Sequence, residues 1–112
     1  MEFKAQRAIY LQIADHICEK ILKKTLQEND RIPSVRELAV NIEVNPNTVV
    51  RTYTYLEEQG IIYKQRGIGY FVAKNAFKKV LRLQKETFLK KEWPHIRKMM
   101  DLLEISFEDL KI

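Results

Sequence analysis

Apolar residues recur at helical spacing along most of the chain. From Tyr10 to about Lys24, the residues Tyr10, Ile13, Ala14, Ile17 and Ile21 fall on one side, the pattern of an amphipathic helix that buries one face. Lys20, Lys23 and Lys24 collect in its last turn, where the helix dipole favours cations. The stretch before Pro33 breaks the pattern, because a proline drives the preceding residue to extended backbone. "SVRE", Ser34 to Glu37, then has the form in which a serine caps a helix and a glutamate reaches back to the cap's own N–H. It predicts a short helix to about Asn41 that buries Val35, Leu38 and Ala39.

A third helix is predicted from Pro46 to about Gln59. Asn45 supplies a capping side-chain oxygen, and Pro46 stands at the first helical position, where a missing N–H costs nothing. Gly60 suits the residue just past the helix end. Val49, Tyr53 and Leu56 gather on one face, with Asn47, Arg51, Thr54 and Glu58 opposite. "IIYKQRGIGYFVA" follows as two β-branched and aromatic runs around a glycine-containing loop, a hairpin signature. From about Asn75 the chain again reads as helical. Phe77, Val80, Leu81 and Phe88 lie on one stripe, followed by Trp93, Ile96, Met99, Met100 and Leu103. Pro94 either kinks this helix or begins a second one, and "SFED", Ser106 to Asp109, reads as the cap of a last short turn.

Two short helices joined by a tight turn and followed by a hairpin make a winged helix-turn-helix. The expected fold class is mainly α with a small β-wing. A DNA-binding domain over residues 1–75 precedes a helical dimerisation region over residues 76–112. Such a unit places its third helix in the major groove, N-terminus first. The polar start at Asn45, Asn47 and Thr48 would let helical N–H groups approach a phosphate, and Arg51 one turn on would reach the backbone or a guanine edge. Arg36 in the preceding helix and Arg66 at the hairpin tip are placed for the groove walls.

"NDRIPSVRELA", "VNPNTVVRTYTYLEEQGII" and "RGIGYFV", in that order and spacing, resemble the winged helix-turn-helix of the GntR superfamily of bacterial transcriptional regulators over roughly residues 9–73. The asparagine-proline-asparagine-threonine head and short helical tail resemble the YtrA-like subfamily. The resemblance implies a dimeric, usually repressing regulator. By position it implies DNA contact by Arg36, Asn45, Asn47, Thr48, Arg51, Arg66 and Gly67. Where other branches often carry an arginine this chain has Pro46, so any base contact from that arginine is absent. Glu43 stands where a glycine is common in the turn, and Asn41 is the residue expected to take the left-handed conformation instead.

Charge refines this picture only slightly. The net charge is +5; residues 1–75 carry 11 Lys and Arg against 9 Asp and Glu, and residues 76–112 carry 9 against 6. Neither half is strongly basic, so the case for nucleic acid rests on where particular arginines sit. The single cysteine, Cys18, excludes an internal disulfide and reads as a small buried residue. With only His16 and His95 no zinc spacing arises, and no cofactor is expected. Glu57 and Glu58 are adjacent on a helix and do not converge as a catalytic pair, so no enzymatic activity is expected. No run approaches the roughly 18 apolar residues of a membrane span, and the N-terminus lacks a signal peptide's apolar block, which places the protein in the cytoplasm.

The tail's apolar stripe, Phe77, Val80, Leu81, Phe88, Trp93, Ile96, Met99, Met100 and Leu103, is too large to leave in water on a small domain. About 37 residues are too few to enclose a metabolite pocket, so no small-molecule effector is assigned. Packing against a second copy would cover the stripe and present two recognition helices to a pseudo-palindromic operator on double-stranded DNA. The competing reading is a winged helix used as a protein-docking module, which would lack the steep salt dependence of phosphate binding.

Overall fold

The computed structural model describes residues 7–111. Residues 1–6 and 112 lie outside the described part, including most of the N-terminal stretch read above for targeting. The described chain divides into two compact units, the first running through Leu81 and the second from Arg82.

In the first unit, helix α1 (Ile9–Leu22) buries Ile13, Ala14, Ile17, Cys18 and Ile21. It stops two residues earlier than its periodicity predicts. Lys23 forms the cap and Lys24 turns left-handed at φ 62°, so only Lys20 of the three lysines lies within the helix. Cys18 is 2% exposed, and burial, with Asp15 adding to it, pushes its thiol up to about 12.

Strand β1 (Arg31–Ile32), formed just ahead of Pro33, adds a pairing that the two-run hairpin pattern does not contain. It lies antiparallel to β3 (Gly69–Val72), with Arg31 opposite Phe71 and Ile32 opposite Tyr70. Strand β2 (Ile62–Gln65) pairs antiparallel on the other side of β3. The wing is thus a three-stranded sheet in the order β1-β3-β2.

Helix α2 (Val35–Ile42) carries both halves of the predicted capping box. The Ser34 hydroxyl accepts from the Glu37 N–H at 3.1 Å and the Glu37 carboxylate accepts from the Ser34 N–H at 3.3 Å. These bonds hold the Glu37 carboxyl below the usual range. Of the three residues expected in its core face only Ala39 is buried; Val35 and Leu38 remain half-buried, since a helix of eight residues offers little more than two turns.

The turn between α2 and α3 also departs from expectation. Asn41 stays helical, and Glu43 itself adopts the left-handed conformation at φ 55°. Its N–H bonds back to Val40 and that of Val44 to Ala39, which closes the end of α2 as a glycine would. A side chain in this region costs about 1–2 kcal/mol, only partly offset by the roughly 0.5–1 kcal/mol of backbone entropy that glycine loses on folding. Glu43→Gly is therefore expected to raise stability by about 0.5–1 kcal/mol, measured as a higher urea midpoint at unchanged slope.

Helix α3 (Pro46–Glu58) begins at Asn45 and ends at Gly60, which takes φ 73°. Helix α4 (Ala76–Thr87) starts within the first unit, where Ala76 and Val80 are buried and Lys79 Nζ donates to the Gly60 carbonyl at 3.0 Å. The compact winged-helix unit thus reaches past residue 75 into the first turns of α4.

In the second unit a π-helical turn, Phe88–Glu92, leads into α5 (Trp93–Leu102). The Trp93 N–H bonds to the Phe88 carbonyl five residues back. Pro94 has no N–H to give and its ring would collide with the carbonyl four residues earlier in a regular helix; the wider turn accommodates it. The tail is neither a simple kink nor two separated helices. A last 3₁₀ turn, Phe107–Leu110, is closed by the Asp109 carboxylate accepting from the Ser106 N–H at 2.9 Å, and its Phe107 ring stacks on Trp93 at 6.0 Å.

Candidate nucleic-acid interface

The head of α3 is built from its sequence in the expected way but leaves fewer free donors than expected. The Asn45 side-chain oxygen accepts from the Asn47 N–H at 2.8 Å, and the Asn45 carbonyl accepts from the Thr48 N–H at 2.9 Å. Pro46 has no N–H. The first amides are therefore already engaged, and the expectation that bare helical N–H groups would cradle a phosphate does not hold. Any anion at this end must be met by side chains, with the helix dipole as background.

Further along α3 the two faces divide as predicted. Val49, Tyr53 and Leu56 are fully buried, while Asn47, Arg51, Thr54 and Glu58 are exposed. Periodicity missed Thr52, a fully buried polar residue whose hydroxyl donates to the carbonyls of Tyr10 at 2.8 Å and Thr48 at 3.1 Å. The Tyr53 hydroxyl donates to the Pro33 carbonyl at 2.6 Å, and its ring meets Tyr70 of β3 edge-on at 4.8 Å. Burial raises the Tyr53 phenol well above its ordinary range, so it remains a donor. One side chain thus ties α3 to the approach to α2 and to the wing.

Arg51 lies with its guanidinium carbon 4.0 Å from the centroid of the Tyr10 ring. A guanidinium held over a ring face keeps N–H donors that match phosphate oxygens or the O6 and N7 of guanine. Val50, beside Arg51, is 47% exposed; an outward valine on this face suits a thymine methyl. The sequence pattern did not single it out, although its spacing from Asn47 and Thr54 puts it on the outward side of the helix.

Arg36 is exposed in the first turn of α2. Arg66 and Gly67 occupy the β2–β3 turn, where Arg66 is exposed and Gly67 takes φ 78°. Arg31, which the sequence pattern did not single out, reaches across Gly69, where a Cβ would meet its Nε at 3.1 Å. It adds a further cation at the base of the wing.

The residues read as a dimer surface separate into groups. Phe77, Phe88, Ile96, Met99 and Leu103 are exposed; Leu81, Trp93 and Met100 are half-buried. Val80 is 0% exposed. It is consumed by the core of its own winged-helix unit and cannot serve as a contact to a second chain. Leu89, Leu102, Phe107 and Leu110, absent from the predicted stripe, are more than half exposed. Among the described residues no group of His, Cys, Asp and Glu could hold a metal ion, and no helix is long and apolar enough to cross a membrane.

A capped recognition helix, a preceding helix joined by a tight turn and a three-stranded wing define a winged helix-turn-helix. Residues 9–72 match the sequence profile described as bacterial regulatory proteins, gntR family, and the chain belongs to that family. Within it the chain is YtrA-like: it is 42% identical over 89 residues to the HTH-type transcriptional repressor YtrA of Bacillus subtilis, covering 80% of this chain and 68% of that protein. It is also 47% identical over 75 residues to the HTH-type transcriptional regulator YhcF of the same organism, covering 67% of this chain but only 62% of that protein. Among solved structures, a GntR-family transcriptional regulator from Bacteroides thetaiotaomicron is 50% identical with a TM-score of 0.73, covering 92% of this chain and 89% of that one. The DNA-binding domain of AraR, crystallised with operator ORR3, is 29% identical with a TM-score of 0.58, covering 65% of this chain and 86% of that one.

Proposed function

We propose that this protein is a sequence-specific DNA-binding transcriptional repressor that acts in the cytoplasm as a homodimer on a pseudo-palindromic operator, without enzymatic activity. Helix α3 enters the major groove, where Asn47 and Arg51 read base edges with Thr48 nearby, and Asn45 holds the helix start. Arg36 contacts the backbone, and Arg66 and Gly67 bring the wing to the flanking minor groove. The observation that carries this reading is Arg51, displayed on the exposed face of α3 with its guanidinium already laid over Tyr10 at 4.0 Å. The repressor YtrA and the operator-bound AraR domain support it by kinship. Dimerisation rests on the exposed apolar side chains of the tail, with Phe88, Ile96, Met99 and Leu103 at the contact.

The test is selection of bound duplexes from a random DNA pool at low and moderate salt. An inverted repeat with half-sites about one helical turn or more apart is expected to be enriched and to survive the higher salt. Weak binding that vanishes as salt rises, with no enriched sequence, would mean that the arginines supply only non-specific attraction and would overturn the proposal.

A further inference from the structure

Tyr10 belongs to α1, a helix that the DNA-binding scheme above uses only as support, yet three contacts tie it to α3. Its ring lies beneath the Arg51 guanidinium at 4.0 Å. Its ring makes a T-shaped contact with Tyr55, one turn beyond Arg51, at 6.3 Å with an interplanar angle of 79°. Its backbone carbonyl accepts the Thr52 hydroxyl at 2.8 Å, next to Arg51 in sequence. The ring therefore has a fixed place relative to α3, set once through the backbone and again through Tyr55.

We propose that Tyr10 is a positioning residue for DNA recognition: its ring holds the Arg51 guanidinium over one face so that the donor edge is presented to DNA before contact. This rests on the reading of Arg51 as a DNA contact. An exposed arginine samples many rotamers, and each one frozen on binding detracts from affinity. A cation held against an aromatic face has lost much of that freedom beforehand and stays charged and donor-rich along its edge. The same stack restricts the angle from which Arg51 approaches the groove, so Tyr10 contributes to specificity without touching a base.

The experiment uses the full chain and the duplex recovered by selection. Affinity is measured for Arg51→Ala, for Tyr10→Phe, for position 10 carrying pentafluorophenylalanine, and for Tyr10→Leu alone and combined with Arg51→Ala. Arg51→Ala is expected to weaken binding about 10- to 100-fold. Tyr10→Phe keeps the ring face and should bind like the wild type. Pentafluorophenylalanine keeps the ring's shape but reverses its electrostatic face, and should weaken binding about 2- to 5-fold, as should Tyr10→Leu. In the Arg51→Ala background, Tyr10→Leu should have no further effect. Equal losses from Tyr10→Leu with and without Arg51, or a fluorinated ring that binds like tyrosine, would make Tyr10 a packing residue and overturn the proposal even if Tyr10→Leu folds poorly. If Arg51→Ala itself leaves affinity unchanged in a folded protein, the assignment of Arg51 to the DNA site fails, and the role of Tyr10 with it.

Discussion

Replacing Ile96 and Met99 together by glutamate is expected to convert the proposed homodimer into a monomer and to lower operator affinity by about 10²- to 10⁴-fold. The two residues are three apart on α5 and so share a face, and they are 40% and 41% exposed. That exposure makes the substitution informative, since neither side chain is buried within its own chain and the monomer should keep its fold. In a two-fold interface each new carboxylate appears twice, and four buried charges without partners oppose association strongly. In the proposed dimer the affinity loss would follow from separating two half-site readers, so binding to an isolated half-site should be unchanged. Sedimentation provides the check. A species that remains dimeric would place the interface on another surface, with the Leu102 and Phe107 side next in line at 68% and 66% exposed. Trp93 is a poorer probe, because its ring already stacks on Phe107 of the same chain.

The second large effect is expected at Tyr53. Its side chain is 0% exposed, its hydroxyl is bonded to the Pro33 carbonyl at 2.6 Å, and its ring meets Tyr70 at 4.8 Å. Tyr53→Ala removes the largest side chain in the core and should cost about 3–5 kcal/mol, a large share of the roughly 5–15 kcal/mol that a domain has in total. Tyr53→Phe keeps the ring and strands one carbonyl, at a cost of about 1–3 kcal/mol. Chemical denaturation of both variants separates the two contributions. Near-equal losses would assign the stability to the hydroxyl bond, and a negligible loss in phenylalanine would assign it to packing.

What the sequence revealed most clearly was local. The Ser34–Glu37 box, the Asn45 cap with Pro46, and Gly60 at the end of α3 each depend on residues within a few positions of one another, and each appears in the structure where it was read. Features that join distant parts of the chain were not legible. Strand β1 exists because Arg31 and Ile32 find partners about 40 residues away, and two residues carry no periodicity of their own. Thr52 looks like a neutral position until the Tyr10 carbonyl is brought beside it. Helical periodicity shows that a face is apolar without showing what covers it, which is why Val80 was grouped with a surface for a second chain although its own domain buries it. At the candidate interface, Asn47 and Arg51 could be assigned to an outward face from spacing alone. The stack of Arg51 on Tyr10 and the engagement of the first amides of α3 needed coordinates. Glu43 shows the limit from the other side. A left-handed turn could be anticipated from the motif, but the choice between Asn41 and Glu43 depends on which backbone carbonyls the next residues must meet.

The two glycines of the wing differ in what they require. At Gly69, where φ is 149°, an added carbon would also crowd the Arg31 guanidinium at 3.1 Å, whereas at Gly67 it would meet nothing within 4 Å. The wing tip is therefore constrained by chirality alone. With φ at 78° the backbone follows a path that mirror-image amino acids take without strain, so D-alanine at position 67 would fit where L-alanine would distort the tip. Evolution, restricted to one hand, has glycine as its least strained choice there, with asparagine and aspartate the nearest substitutes, while chemical synthesis could rigidify the same loop without altering its path.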